Sequence, residues 1–271
     1  MENHAPLSIN FWKQGEEIGN FGDSLTLLYM DRIFEARSRF SFGALYLVGS
    51  VIEDKRIWRA SANGYEKGDG FGQAIFWGCG QRTEQPLMPA LALRAIVLGA
   101  RGTLTRDVLG LPRGTPLGDS ALILPQFYRP NVDPATSGKV LWVPHIHHRD
   151  PTPKDLDGCP DAVVLRPTIP NTVEACERFI DSIVSARFVM ANAMHAAVIA
   201  LAYGVPFSFW GGYQIDLPFK WRDLTSPLDF QMAFQPTYQT GLAEFERLRP
   251  DRAFKGFDME PMLKVAPLKR R

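Results

Sequence analysis

One imidazole stands in an otherwise apolar block of this sequence. Residues 187–210 read RFVMANAMHAAVIALAYGVPFSFW, where RFVMA has the character of a strand and HAAVIALAYGVP that of a buried helix closed by Gly204 and Pro206. His195 therefore falls just beyond a strand's carboxyl end, on the first turn of the next helix. With a reference pKa near about 6.5 it can act as acid or base around neutrality, and a helix N-terminus favours the neutral, proton-accepting ring. The local residues leave a packing histidine open as the alternative.

Anion-holding chemistry is suggested elsewhere. In GARGTLTRDVLG, Arg101 follows the apolar run AIVLGA, and Gly102 and Thr103 open the next helix. Free amides beside a guanidinium fork suit a carboxylate or phosphate, and Arg106 is a second cation there. Pairing of these arginines with Asp107 or Asp119 is the plainer alternative. In GNFGD, residues 19–23, the glycines allow a ligand close to backbone donors, which makes Asn20 and Asp23 binding candidates. A tight turn capped by Asp23 or Ser24 would explain the same residues. Neither GxGxxG nor a phosphate-loop lysine is present. In WVPHIHHRD, His145 ends a strand and is the best placed of three clustered histidines; the spacing is a weak metal signal, and no metal is expected.

Short apolar strands alternating with helices position these groups. LSINFW, GALYLVGSVI, QAIFWGCG and RAIVLGA form a first series, and GKVLWVPHI, DAVVLRP, RFVMANA and VPFSFWGG a second. Helices are expected over SLTLLYMDRIFEA, NTVEACERFIDSIVSA and MHAAVIALAYG. Strands apolar on both faces imply sheets covered on both sides. The turn-rich stretch YRPNVDPATSG, residues 128–138, marks a boundary between an N-terminal Rossmann-like domain (1–130) and a C-terminal one (131–271). The expected fold is α/β, two Rossmann-like domains facing across a cleft. SPLDFQMAF and GLAEFERLRP are helix candidates, and the last fifteen residues look peripheral.

The formal net charge is +1, with 14 basic and 13 acidic residues in 1–130 and 16 of each in 131–271, so neither half resembles a nucleic-acid-binding lobe. Three scattered cysteines form no disulfide framework. The N-terminal residues carry no basic segment followed by a sustained apolar run, and a cytoplasmic location is expected. The basic tail KVAPLKRR is compatible with peripheral contact at the inner face of a membrane.

GNFGDSLT, WGCG, RGTLTRDVLG, GDSALILP, VPHIHHRD and MHAAVIALAYGVP, in this order, resemble the polysaccharide pyruvyl transferase family, nearest its exopolysaccharide (succinoglycan-type) branch. The resemblance covers about residues 10–212. It implies a glycosyltransferase-B-like fold with the active site between domains. It also implies transfer of a pyruvyl group from phosphoenolpyruvate, without a cofactor, to hydroxyls of a glycan or lipid-linked saccharide, giving a pyruvate ketal. Arg101 would bind the donor, and His195, matching the family's RLHG block, would be the acid/base. Here that block reads Ala193, Met194, His195, Ala196, so the customary arginine is missing; Arg106, Arg149 or Arg166 would have to replace it. A nucleotide-sugar glycosyltransferase and a catalytically silent carbohydrate-binding protein are the alternatives on the same scaffold.

Overall fold

The computed structural model describes residues 7–11, 13–14, 17–40, 43–66, 72–156, 158–159, 161–212, 215–228, 230–255 and 257–271. The first six residues of the N-terminal segment, and parts of the LSINFW and SPLDFQMAF stretches, lie outside them. Two separate parallel sheets form, each flanked by helices. In the first, the strands run Ser8–Ile9, Ala44–Tyr46, Ala74–Gln81, Ala95–Ala100. Ser50–Ile52 also pairs with Ala74–Gln81, at its carboxyl end, so Ala44–Tyr46 and Ser50–Ile52 act as one strand interrupted at Leu47–Gly49. Gly49, at φ 102°, turns the chain there in a conformation that side chains resist.

Alternation along Ala74–Gln81 explains its burial on both faces. Ile75 and Trp77 face the large core shared with the second sheet, while Ala74 and Phe76 face the helix Asp54–Glu66 and its surroundings; Cys79 joins them because the strand shifts register at Gly78, where φ is 64°.

The second sheet runs Ala162–Val164, Val140–Val143, Phe188–Ala191, Phe207–Trp210, Phe234–Gln235, all parallel. Numbered in chain order this is 2-1-3-4-5, a doubly wound arrangement whose order reverses between Val140–Val143 and Phe188–Ala191. Ligands of such sheets bind beyond the carboxyl ends of the strands at that switch point. The helix Met194–Tyr203 follows directly. Its alanines and aliphatics favour helix and bury nearly all round, and Gly204 ends it at φ 74°.

Between the two sheets, Tyr128–Gly138 contains neither helix nor strand. The two Rossmann-like units face each other in a glycosyltransferase-B-like arrangement, and they are stitched together. Ile18–Asn20 pairs antiparallel with Thr168–Pro170, and Phe21 stacks on Phe179 at 4.1 Å between centroids.

Three expectations need correction. The first long helix spans Phe21–Arg32, not SLTLLYMDRIFEA, because Phe21 and Gly22 already pack within it and the chain from Phe34 to Ser38 becomes a strand. The SPLDFQMAF stretch gives only a 3₁₀ turn, Ser226–Leu228, and the edge strand Phe234–Gln235. The C-terminal residues are not peripheral: Met262, Leu263 and Leu268 are buried, and Leu268–Arg270 pairs with Phe34–Ser38 of the first unit. Among the described residues no helix is long and apolar enough to cross a membrane.

Candidate active site

A pocket of about 270 Å³ opens between the two sheets, lined from both units. The first unit contributes residues 20–23 and 49–51, Arg56 and Arg82, and the second residues 145–147 and 193–195 with Asp216, Leu217 and Lys220. His145 and His195 follow the two strands of the switch point. Their placement is fixed by the backbone, because the amides of Asn192 and Ala193 both donate to the Val143 carbonyl at 2.8 and 3.1 Å.

His195 is nearly enclosed, its side chain 12% exposed, and its Nε2 has no hydrogen-bond partner among the described residues. That nitrogen lies 3.9 Å from Oδ2 of Asp119, a fully buried carboxylate oxygen likewise without a hydrogen-bond partner among the described residues. The separation exceeds a direct hydrogen bond but lies within ion-pair reach once the ring is protonated. Asp119 itself is fixed by accepting from the Ala121 amide through Oδ1 at 3.0 Å. On the other flank the ring rests against the first turn of Phe21–Arg32, where a Cβ on Gly22 would collide with the imidazole. Burial holds the His195 pKa below the usual histidine value, against the opposing pull of Asp119 and Asp23. The ring is therefore neutral near pH 7, the state of a base.

Two helices, Phe21–Arg32 and Met194–Tyr203, point their N-termini into this pocket, and neither is capped by its N-cap side chain. Asn20, the N-cap of the first, instead donates its amide to Asp23 Oδ2 at 2.8 Å. Aligned peptide dipoles give such ends positive potential. Three cations add to it: Arg56 and Arg82, which share Glu53 at 3.2 and 3.6 Å, and Lys220, which donates to Asp216 Oδ2 at 2.6 Å. Asp216 also faces His145 Nε2 at 3.4 Å; His145, then burial acting oppositely, then Lys220 set its pKa, which lies well below the carboxylate range. The pocket is suited to a small anion beside a proton acceptor.

The sequence-derived candidates divide sharply. His195, His145, Asn20 and Asp23 line the pocket. Arg101 does not: it is fully buried behind the wall, its Nε on Asp223 at 3.0 Å and its Nη1 on Ser50 Oγ at 2.6 Å. The amide of Thr103, next to Gly102, donates to Ser226 Oγ at 2.8 Å, and that of Thr105 to Asp223 Oδ1 at 2.8 Å, so this helix start is capped from within the protein. Arg106 pairs with Asp107 at 2.8 Å. Arg166, about half exposed, pairs with Asp150 at 2.9 Å and donates to the His148 carbonyl. Arg149 pairs with Asp155. None of the three proposed replacements for the missing arginine lines the pocket. Trp77, Trp142, Phe209 and Trp210 are core residues and do not line the pocket. Among the described residues no group of three or more His, Cys, Asp or Glu is arranged to hold a metal ion.

Sequence reasoning missed Arg56, Arg82, Asp119 and Lys220. Arg82 carried a usable signal, since it follows the strand Ala74–Gln81 as Arg101 follows Ala95–Ala100. Asp119 stands in the GDSALILP block, but nothing there points it at His195, and Lys220 carried no signal, being placed by tertiary packing.

Fold and pocket together define an enzyme-like two-domain α/β scaffold compatible with a transferase. Comparison of the chain with protein-family models and with curated proteins finds no match.

Proposed function

We propose that this protein is a pyruvyltransferase, moving the three-carbon unit of phosphoenolpyruvate onto hydroxyls of a glycan or lipid-linked saccharide to form a pyruvate ketal. The observation that carries the reading is the convergence of two helix N-termini and three cations on one pocket beside a buried, neutral histidine. Phosphoenolpyruvate bears a phosphate and a carboxylate on a small frame, and needs fixed positive potential on more than one side. The resemblance in the order of sequence blocks supports the same donor.

The chemistry requires a sugar oxygen to bond to C2 of the donor while C3 gains a proton and becomes a methyl group. The C2–phosphate bond then breaks, and a second hydroxyl attacks C2 to close the ketal. His195 takes the first hydroxyl's proton through its neutral ring and passes it to the departing phosphate, while Asp119 stabilises the imidazolium formed between these steps. Arg56, Arg82 and the helix ends hold the anionic groups. The acceptor reaches the pocket from the cleft between the units, at the cytoplasmic face of a membrane if it is lipid-linked.

The test is incubation of purified protein with phosphoenolpyruvate and a panel of sugars and lipid-linked saccharides, following phosphate release and the mass gain of a ketal. His195→Gln should remain folded, bind phosphoenolpyruvate, and lose about 10²- to 10⁴-fold in rate. Ketal formation by the folded variant at the wild-type rate removes His195 from the chemistry, and a sugar-transfer product moves the protein to the glycosyltransferases.

A further inference from the structure

Carbon protonation and hydroxyl deprotonation demand opposite protonation states at the outset, so a neutral His195 leaves the acid unassigned. We propose that Lys220 is that acid, delivering the proton to the donor's methylene carbon within the same pocket. The proposal rests on the pyruvyl-transfer reading above.

Lys220 is only 7% exposed, yet it lines the pocket. Its ammonium is held at 2.6 Å by Asp216 Oδ2, the same oxygen that His145 Nε2 approaches at 3.4 Å. A long cationic side chain so enclosed is costly unless its charge is used or compensated. Backbone strain is concentrated at the same place: Leu217, between Asp216 and the helix Pro218–Thr225, sits at φ 49°, which a branched residue avoids. This residue also lines the pocket.

The far end of that helix is clamped to the first unit. Asp223 accepts from Arg101 Nε at 3.0 Å, and from the Thr105 amide and hydroxyl at 2.8 and 2.7 Å. Lys220 lies three residues earlier, so the buried network that removes Arg101 from the open pocket also sets the lysine's position. The charged groups that act on Lys220 are Asp216, which holds it, Arg101 and Arg82 from the first unit, and His195, with His145 on the far end of the Asp216 contact. Burial lowers its proton affinity, Asp216 opposes this, and the two arginines lower it further. The ammonium gives up a proton more readily than a solvent-exposed lysine would.

The proton balance closes over one turnover. Lys220 gives its proton to C3 as the first sugar oxygen bonds to C2, and that hydroxyl's proton goes to His195. His195 then protonates the leaving phosphate. The second hydroxyl, attacking C2, returns a proton to the neutral Lys220 amine. Two hydroxyl protons are consumed, one equivalent on carbon and one on phosphate, and both residues are regenerated.

The experiment compares wild type, Lys220→Arg and Lys220→Ala, measuring phosphoenolpyruvate affinity by calorimetry and phosphate release with methyl glycosides. Release without sugar is also followed, water then standing in for the hydroxyl and giving pyruvate. Lys220→Arg keeps the charge in a group that does not deprotonate. It should bind phosphoenolpyruvate within about threefold of wild type, turn over about 10²- to 10⁴-fold slower, and lose the alkaline limb of the pH profile. Methylamine should restore part of the activity of Lys220→Ala. Wild-type turnover in Lys220→Arg, or loss of donor affinity in both variants with no rescue by methylamine, overturns the assignment. A wild type that releases phosphate under neither condition overturns the pyruvyl-transfer reading instead.

Discussion

The His195 ring gives the site its dependence on pH. Its native pKa is depressed by burial, so between that value and the unfolded value near about 6.5 the unfolded chain binds a proton that the native chain does not. Stability therefore rises with pH through that window, is complete above it, and falls as pH drops through the native pKa. His195→Gln should flatten this dependence in urea titrations across the same window. Part of the slope should remain, because burial depresses His148 as well. An unchanged slope would mean that burial does not lower the His195 pKa in the native state. Gly22→Ala probes the same ring from outside: the added methyl must displace the imidazole, while alanine itself favours the helix. Turnover should fall at least about tenfold, since the displaced group serves proton transfer, with a stability loss of about 1 to 3 kcal/mol from moving an enclosed ring; unaltered turnover would mean that the ring's position is unimportant. Both His195 and His145 were legible in the sequence because each follows an apolar strand, where a doubly wound sheet places its ligands. Arg101 satisfies the same rule, yet the fold buries it behind the pocket wall. Its partner, Asp223, lies 122 residues away, and nothing near either residue announces the pair.

At the scale of elements, the strands and the two helices around His195 follow from local pattern, apolar runs of four to eight residues punctuated by glycine and proline. The helix Pro218–Thr225 was not legible, since its face is chosen by what it meets on the other unit. Phe219, Trp221 and Leu224 are buried alongside Lys220 and Asp223, so hydrophobic periodicity does not separate its core from its polar contacts. Both members of the Arg101–Asp223 pair are fully buried, so losing one leaves a charge that neither water nor a partner compensates. Asp223→Asn should cost about 3 to 5 kcal/mol, measured by urea unfolding. The double variant Asp223→Asn with Arg101→Met should recover part of this loss, because the stranded guanidinium is gone. If the two substitutions simply add, the pair is not the clamp inferred from its geometry.

Across the whole molecule, the two units are less independent than a sequence boundary at 128–138 suggests. A single hydrophobic core runs from Trp77 beneath the first sheet through the helix Met194–Tyr203 to the second. The chain's last segment returns to close it. The Trp77 indole donates to the Met262 carbonyl at 2.8 Å, and Arg271 donates its amide to Ile33 at 3.0 Å, across most of the sequence length. In the sequence this segment looks peripheral because its residues, MLKVAPLKRR, show neither a long period nor a glycine-bounded strand. Only the fold reveals that Met262, Leu263 and Leu268 are core residues. Each such side chain contributes about 2 to 5 kcal/mol when buried, against a total stability of about 5 to 15 kcal/mol for a domain. Deleting residues 258–271 should therefore unfold the first unit and disrupt the pocket it shares with the second. The measurement is tryptophan fluorescence during urea unfolding, combined with calorimetric titration by phosphoenolpyruvate. Loss of the cooperative transition together with donor binding is expected. A truncated chain that unfolds at the wild-type midpoint and binds donor normally would show that the returning segment merely covers a core the first unit completes without it.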